Sequence, residues 1–127
     1  MDFINLAEKS VEAAENKKRK IDLFGTDNFR SWMLYFVPGD GTDMHYHANP
    51  ETFLVLEGTG TVKGIKCEAR TVKKHDVLCL GAKDYYQITN TGSEPLVLFG
   101  NRSEPFGGPH ILVDGKDWTK LQRGAEG

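Results

Sequence analysis

Apolar residues recur at helical spacing near the start of the chain, at Phe3, Ile4, Ala7, Val11, Ala14 and Ile21. That spacing predicts an amphipathic helix from Phe3 to about Ile21. Lys17, Lys18, Arg19 and Lys20 gather where a helix C-terminus favours cations, and they read as a solvated helix end. After Gly25 the period changes. WMLYFV, TFLVLE, GTVK, CEARTV, DVLCL, YYQIT and LVLFGN are short β-rich runs, separated by turn signals such as PGDG, LEGTG and NTGSEP. Many short strands at close spacing predict an all-β antiparallel sandwich or barrel. In TFLVLE, Phe53 and Val55 share one face while Leu54 and Leu56 share the other, so the outer side of that sheet needs a cover. The tail from Ser103 is rich in Gly and Pro, then polar. It predicts one short strand near Ile111 to Val113 and fraying from about Gln122. The expected organisation is an N-terminal helix over 1–24, a β-barrel over 25–113 and a tail over 114–127.

The 127 residues make one domain by size, and the net charge of -2 gives no electrostatic reason to expect nucleic acid or an anionic membrane as partner. A small-molecule substrate or ligand, or another protein chain, fits better. The N-terminal segment carries acids throughout and no uninterrupted apolar run, so it reads as neither secretory signal nor membrane span, and a cytoplasmic location is expected. In such a reducing compartment Cys67 and Cys79, on strand-like segments, are expected to be two free buried thiols.

Chemistry concentrates in MHYHANPE. Histidines at i and i+2 on a strand point to one side, so His45 and His47 can offer two imidazoles to one ion. Ala48, Asn49 and Pro50 form a bend that lets Glu51 turn its carboxylate to the same interior. Two imidazoles and a carboxylate make a three-ligand site with open positions, the set used by non-haem iron and related metals. An isolated HxH is more often a surface pair, so the flanking residues decide.

Gly39, five residues, His45, one, His47, three, Glu51, six and Gly58 occur in that order in PGDGTDMHYHANPETFLVLEG. This resembles the first motif of the cupin superfamily at every defined position, and the resemblance covers roughly residues 30 to 102. It implies a cupin-type double-stranded jelly-roll β-barrel, here with an N-terminal helix. It also implies one divalent transition metal (Fe, Mn, Ni or Zn) held by His45, His47 and Glu51. The second cupin motif is degenerate in HDVLCLGAKDYYQITN, where only Asn90 and the adjacent Asp76 match expectation. Tyr86 occupies the position at which the family supplies a histidine ligand. It is the catalytic candidate, as a phenolate ligand, a hydrogen-bonding group beside the metal or an aromatic filler. Strand alternation in YYQIT turns Tyr86 and Ile88 inward together.

His75 is expected in a surface turn and His110 in an exposed tail, although the Gly-Gly-Pro before His110 offers a way to fold the tail over the barrel mouth. Arg30, Arg102 and Gln87 are candidates to orient an anionic substrate. Trp32, Tyr35, Phe36, Phe53, Tyr85 and Phe99 read as barrel core. The functional expectation is a metal-dependent enzyme on a small organic molecule, with dioxygenase-like chemistry the natural use of such a site. The alternatives are an isomerase or lyase on the same metal, a non-catalytic metabolite-binding or sensor protein, or a structural barrel with a degenerate site. Leu54 and Leu56 together with the stripe of Phe3, Val11 and Ile21 leave apolar surface that predicts a homodimer.

Overall fold

The computed structural model describes residues 1–65, 67–104 and 110–117. Helix α1 spans Leu6–Asn16, shorter than the periodicity predicts. Asn5 caps it by accepting a hydrogen bond from the Glu8 N–H, and Lys17 ends it in the left-handed conformation, with φ 53°. The chain is then released into a strand that the helical count had absorbed, β1, Lys20–Gly25. The packing face of α1 also differs from the expected stripe. Ala13 is fully buried beside a half-buried Leu6, while Phe3 (86 % exposed) and Val11 (56 % exposed) face solvent. Small residues let the helix backbone approach the sheet, and Ser10 fills the gap by donating its hydroxyl towards the Met33 sulfur.

Two antiparallel layers follow. The first has strand order β1, β2 (Arg30–Phe36), β9 (Leu96–Arg102), β4 (Glu51–Glu57) and β7 (Val77–Leu80). The second is built on β6 (Arg70–Lys73), β5 (Thr59–Lys63) and β8 (Gln87–Thr89). A two-stranded ribbon of β3 (His45–Tyr46) and β10 (Ile111–Leu112) joins it through Tyr86, because His45 and Tyr86 exchange both backbone hydrogen bonds at 3.0 and 2.8 Å.

Register explains the core, since directly paired residues share a face. Three rows cross the inner face of the first sheet: Leu34, Leu98, Val55; then Trp32, Gly100, Phe53, Leu78; then Arg30, Arg102, Glu51, Leu80. Two apolar rows fill the barrel and one charged row closes an end of it. Gly100 is required in the middle row. A Cβ there would lie 2.7 Å from the rings of both Trp32 and Phe53, which instead meet edge to face at 5.6 Å. Gly58, the last residue of the first motif, turns with φ 87°, and a Cβ there would lie 2.3 Å from the Pro95 carbonyl oxygen. Asn90 is buried and structural: its amide donates to the carbonyls of Phe36 and Glu94, and its oxygen accepts from the Gly92 N–H.

On the outer face, Met33 and Val97 pack with Ala13, Ile21, Leu23, Tyr35 and Leu56, so α1 covers part of its own sheet. Trp32, Phe36 and Phe53 lie in the inner core as expected, whereas Tyr35, Tyr85 and Phe99 are half-buried. The two cysteines are free, but both are exposed, which corrects the buried reading. In DVLCL the inward residues are Leu78 and Leu80, which turns Cys79 outward, and Cys67 precedes β6 instead of lying on it. No helix is long and apolar enough to cross a membrane, among the described residues.

Candidate metal centre

Strand β3 is held between β10 and Tyr86, and this places His45 and His47 side by side, both buried, with ring centroids 4.8 Å apart. The His45 Nδ1–H donates to the Asp43 carbonyl at 2.7 Å. That fixes the tautomer and leaves the Nε2 lone pair facing inward, where the Tyr86 hydroxyl lies 3.1 Å away. His110 departs from the exposed reading. The pairing of Ile111 with Tyr46 and Leu112 with His45 carries it over the site, where its ring stacks on His45 at 3.9 Å. One ring nitrogen from each of His45, His47 and His110 falls within 4.8 Å of the others. The sequence signal was the Ile111 strand itself, whose partner no local pattern specifies. His75 lies in an exposed turn, as expected.

Glu51, expected as a ligand, is buried nearby, but the described side chains that bring ligand atoms within 4.8 Å of one another are His45, His47 and His110, without it. The Glu51 Oε2 accepts from Arg102 Nε at 3.1 Å, while Oε1 has no hydrogen-bond partner among the described residues. Arg102 also donates to Glu104 Oε1 at 2.6 Å and contacts His47 Nδ1 at 2.5 Å. A guanidinium can only donate, so His47 Nδ1 accepts, and its neutral ring then carries the proton on Nε2. An ion bound through His47 Nε2 therefore competes with this contact. The roles of Arg102 and Glu104 escaped sequence reasoning, which treated Arg102 only as a substrate contact. Gln87 does not line the cavity at this site, whereas Arg30 and Arg102 do.

That cavity measures about 330 Å³ and reaches the histidines past Lys20, Trp32 and Phe36. A larger open recess of about 910 Å³ runs past Cys67 and Cys79, but no histidine lines it among the described residues. Burial favours uncharged forms around the cluster. It lowers the pKa of His45, and it lowers that of His110 to about 3, with further repulsion from His45 and Arg102. Burial raises the Glu51 carboxyl against the pull of Arg102. It also pushes the Tyr86 phenol well above the ordinary range, helped by neighbouring Glu51, so Tyr86 keeps its proton.

A pH dependence follows. Unfolded, His110 titrates near 6.5; folded, near 3. Between those values the unfolded chain binds the additional proton, so acid erodes the stability of the metal-free fold. The melting temperature of the wild type relative to His110→Gln is expected to fall between pH 7.5 and pH 5. A difference that stays constant with pH would contradict a buried neutral His110.

Over 104 residues the chain is 29 % identical to Auxin-binding protein 1 of Arabidopsis thaliana, covering 76 % of this chain and 51 % of that protein. The chain thus spans about half the length of that relative. A cupin-like protein from Thermotoga maritima superposes with a TM-score of 0.68 at 24 % identity, covering 74 % of each chain. The DMSP lyase DddQ from Ruegeria pomeroyi superposes with the same TM-score at 15 % identity, covering 81 % of this chain and 56 % of that one. At such identities these structures speak for the fold alone. Residues 32–99, more than half of the sequence, match the Cupin domain family, and with the complete Gly39-to-Gly58 motif set in a jelly roll, this chain belongs to that family.

Proposed function

We propose that the chain is a metal-dependent cupin enzyme, in which His45, His47 and His110 hold one divalent first-row ion that engages a small organic molecule in the cavity. The observation that carries this reading is the convergence of three ring nitrogens within 4.8 Å. The surroundings fit an ion. Burial favours the neutral imidazoles that ligation needs at His45 and His110. Nitrogen and oxygen donors of this kind accept Fe, Mn, Ni or Zn. When bound, the ion supplies Lewis-acid or redox chemistry, and oxygenase chemistry is the catalytic use we favour. The remaining work falls to the chain itself. Tyr86 holds a proton on its oxygen 3.1 Å from His45 Nε2, placed to donate to a reacting group, and the buried rings of Trp32 and Phe53 exclude water below.

A second reading, non-catalytic binding of a small molecule, is favoured by the 29 % identity to Auxin-binding protein 1. The test is metal content and oxygen uptake of protein purified without a histidine tag. About one redox-active ion per chain is expected. Tyr86→Phe should keep the ion yet slow turnover by roughly 10²- to 10⁴-fold, the usual scale for a lost proton donor. Loss of the ion in that variant would make Tyr86 a ligand. Stoichiometric metal with small-molecule binding but no turnover would favour the second reading. No bound metal and no uptake on addition would sink the metal-dependent reading and leave metal-free binding of a small molecule standing. We also propose a homodimer, supported by the exposed Phe3 and Val11 on α1; a monomeric mass by light scattering at micromolar concentration would count against it.

A further inference from the structure

Strands β6 and β7 are joined by three residues, Lys74 to Asp76, yet each ends a different sheet, β6 beside β5 and β7 beside β4. The link is pinned to β4, because the His75 N–H donates to the Val55 carbonyl at 2.8 Å and the Val55 N–H donates to the Asp76 carbonyl at 2.9 Å. Beyond it the two strands enter different layers, and the open recess of about 910 Å³ is lined by both. Its lining shares Tyr86 with the histidine cavity and no other described residue. Tyr86 is buried, so its ring stands as a wall between the two cavities.

The floor of the recess is apolar. Val62, Val72, Leu78 and Leu80 reach it from both layers, Val72 buried and the other three packed against the inner core. Ile65 (53 % exposed) and Val77 (68 % exposed) carry the apolar surface out to the rim. The charged residues of the lining are Lys63, Arg70 and Lys83 against Glu68, Asp76 and Asp84, a formal sum of zero. All are exposed except Asp76, which is half-buried, so these charges stay with water at the rim. Two of the carboxylates hold turns, Asp76 accepting from the Lys73 N–H and Asp84 from the Gly81 N–H. An ionic ligand would shed its hydration with no counter-charge on the floor, whereas a neutral apolar one loses nothing by entering. The two open strand edges are four residues each and β6 carries Arg70 and Lys73, features that blunt an edge against an added strand. The volume falls within the roughly 300–1,000 Å³ of small-molecule pockets.

We propose that this recess is a second ligand site, for a neutral and largely apolar small molecule of the size of a few fused or linked aromatic rings, seated on Val62, Val72, Leu78 and Leu80. It is separate from the histidine cavity and stands whether or not a metal is bound there. Cys67 and Cys79, both exposed and both in the lining, report on its occupancy through their thiols.

The experiment titrates the full chain with N-phenyl-1-naphthylamine, a neutral probe whose fluorescence rises in apolar surroundings. The anion 1-anilinonaphthalene-8-sulfonate and the cation 1-naphthylmethylammonium serve as charged counterparts. The neutral probe should saturate at about one per chain and bind about 10-fold or more tightly than either ion. At saturation, alkylation of Cys67 and Cys79 by N-ethylmaleimide should slow about 5-fold or more, read by mass spectrometry of the two peptides. Val62→Trp fills the floor and should weaken the probe about 10-fold; if that variant fails to fold, thiol protection in the wild type decides. Added zinc should leave the probe affinity within about 2-fold, since the histidines lie beyond Tyr86. Fluorescence that rises without saturating, or thiols that react equally fast with the probe present, would overturn the site. Displacement of the probe by zinc would place it in the histidine cavity and overturn the site as well, and equal affinity for the two ions would overturn the ligand class.

Discussion

Replacing His45 by alanine is expected to abolish stoichiometric metal binding, with affinity falling about 100-fold or more. That exceeds the 10- to 100-fold typical of groups that only support ligands. His45 occupies the centre of the cluster. Its Nδ1 is tied to the Asp43 carbonyl, its Nε2 faces the site, and its ring is the surface on which His110 stacks at 3.9 Å. Truncation removes one ligand and loosens the seat of another. The fold should survive, because the backbone pairings of His45 with Tyr86 and Leu112 do not involve its side chain. His75→Ala is the control, since that residue sits in an exposed turn and should retain the ion. Equilibrium dialysis with metal analysis checks both variants. A His45→Ala protein that binds an ion with unchanged affinity would remove the three-histidine site from consideration.

How much of this was legible beforehand depended on how local the determining contacts are. Strands β2, β4 and β9 lie where their apolar runs predict, and the alternation of TFLVLE correctly separated inward Phe53 and Val55 from outward Leu54 and Leu56. Strand β1 was missed because Ile21 extends the helical count. Yet KIDLFG alternates as a strand should, with Ile21 and Leu23 under α1 and Lys20 and Asp22 at the cavity. Strand β3 has two residues and no pattern of its own; the partners on either side define it. The site divides in the same way. The motif spacing placed His45 and His47 side by side and Glu51 against Arg102 next to them, outside the group of three histidines. His110 arrives through a cross-strand register that no local window encodes. Strand alternation does put Arg102 on the inner face with Leu96, Leu98 and Gly100. What it faces there, Glu51, Glu104 and His47, follows from three separate segments meeting in space.

That meeting point makes Arg102 the residue whose loss should act in two opposite directions. Arg102→Met keeps an apolar stem of similar length but removes the guanidinium, so that among the described residues Glu51 loses its 3.1 Å ion pair and Glu104 keeps Arg30 at 4.0 Å. Breaking a buried pair in this way costs about 3–5 kcal/mol, so the metal-free variant should be strongly destabilised in denaturant titrations near neutral pH. The penalty has a definite pH sign. Burial already raises the Glu51 carboxyl above 4.5, and Arg102 opposes that rise. Without Arg102 the folded carboxyl holds its proton to still higher pH, so the variant's stability is best preserved in acid and is lost as pH rises through that folded value. The gap to wild type should therefore be smaller at pH 5 than at pH 7.5. Metal affinity should move the other way. Removing the guanidinium releases His47 Nδ1 and leaves the Glu51 charge without its counter-ion, so zinc should bind about 10-fold or more tightly and recover part of the lost stability through its preference for the folded state. A variant that loses stability equally at both pH values and also binds zinc more weakly would mean that Arg102 shapes the histidine cluster instead of competing with an ion for it.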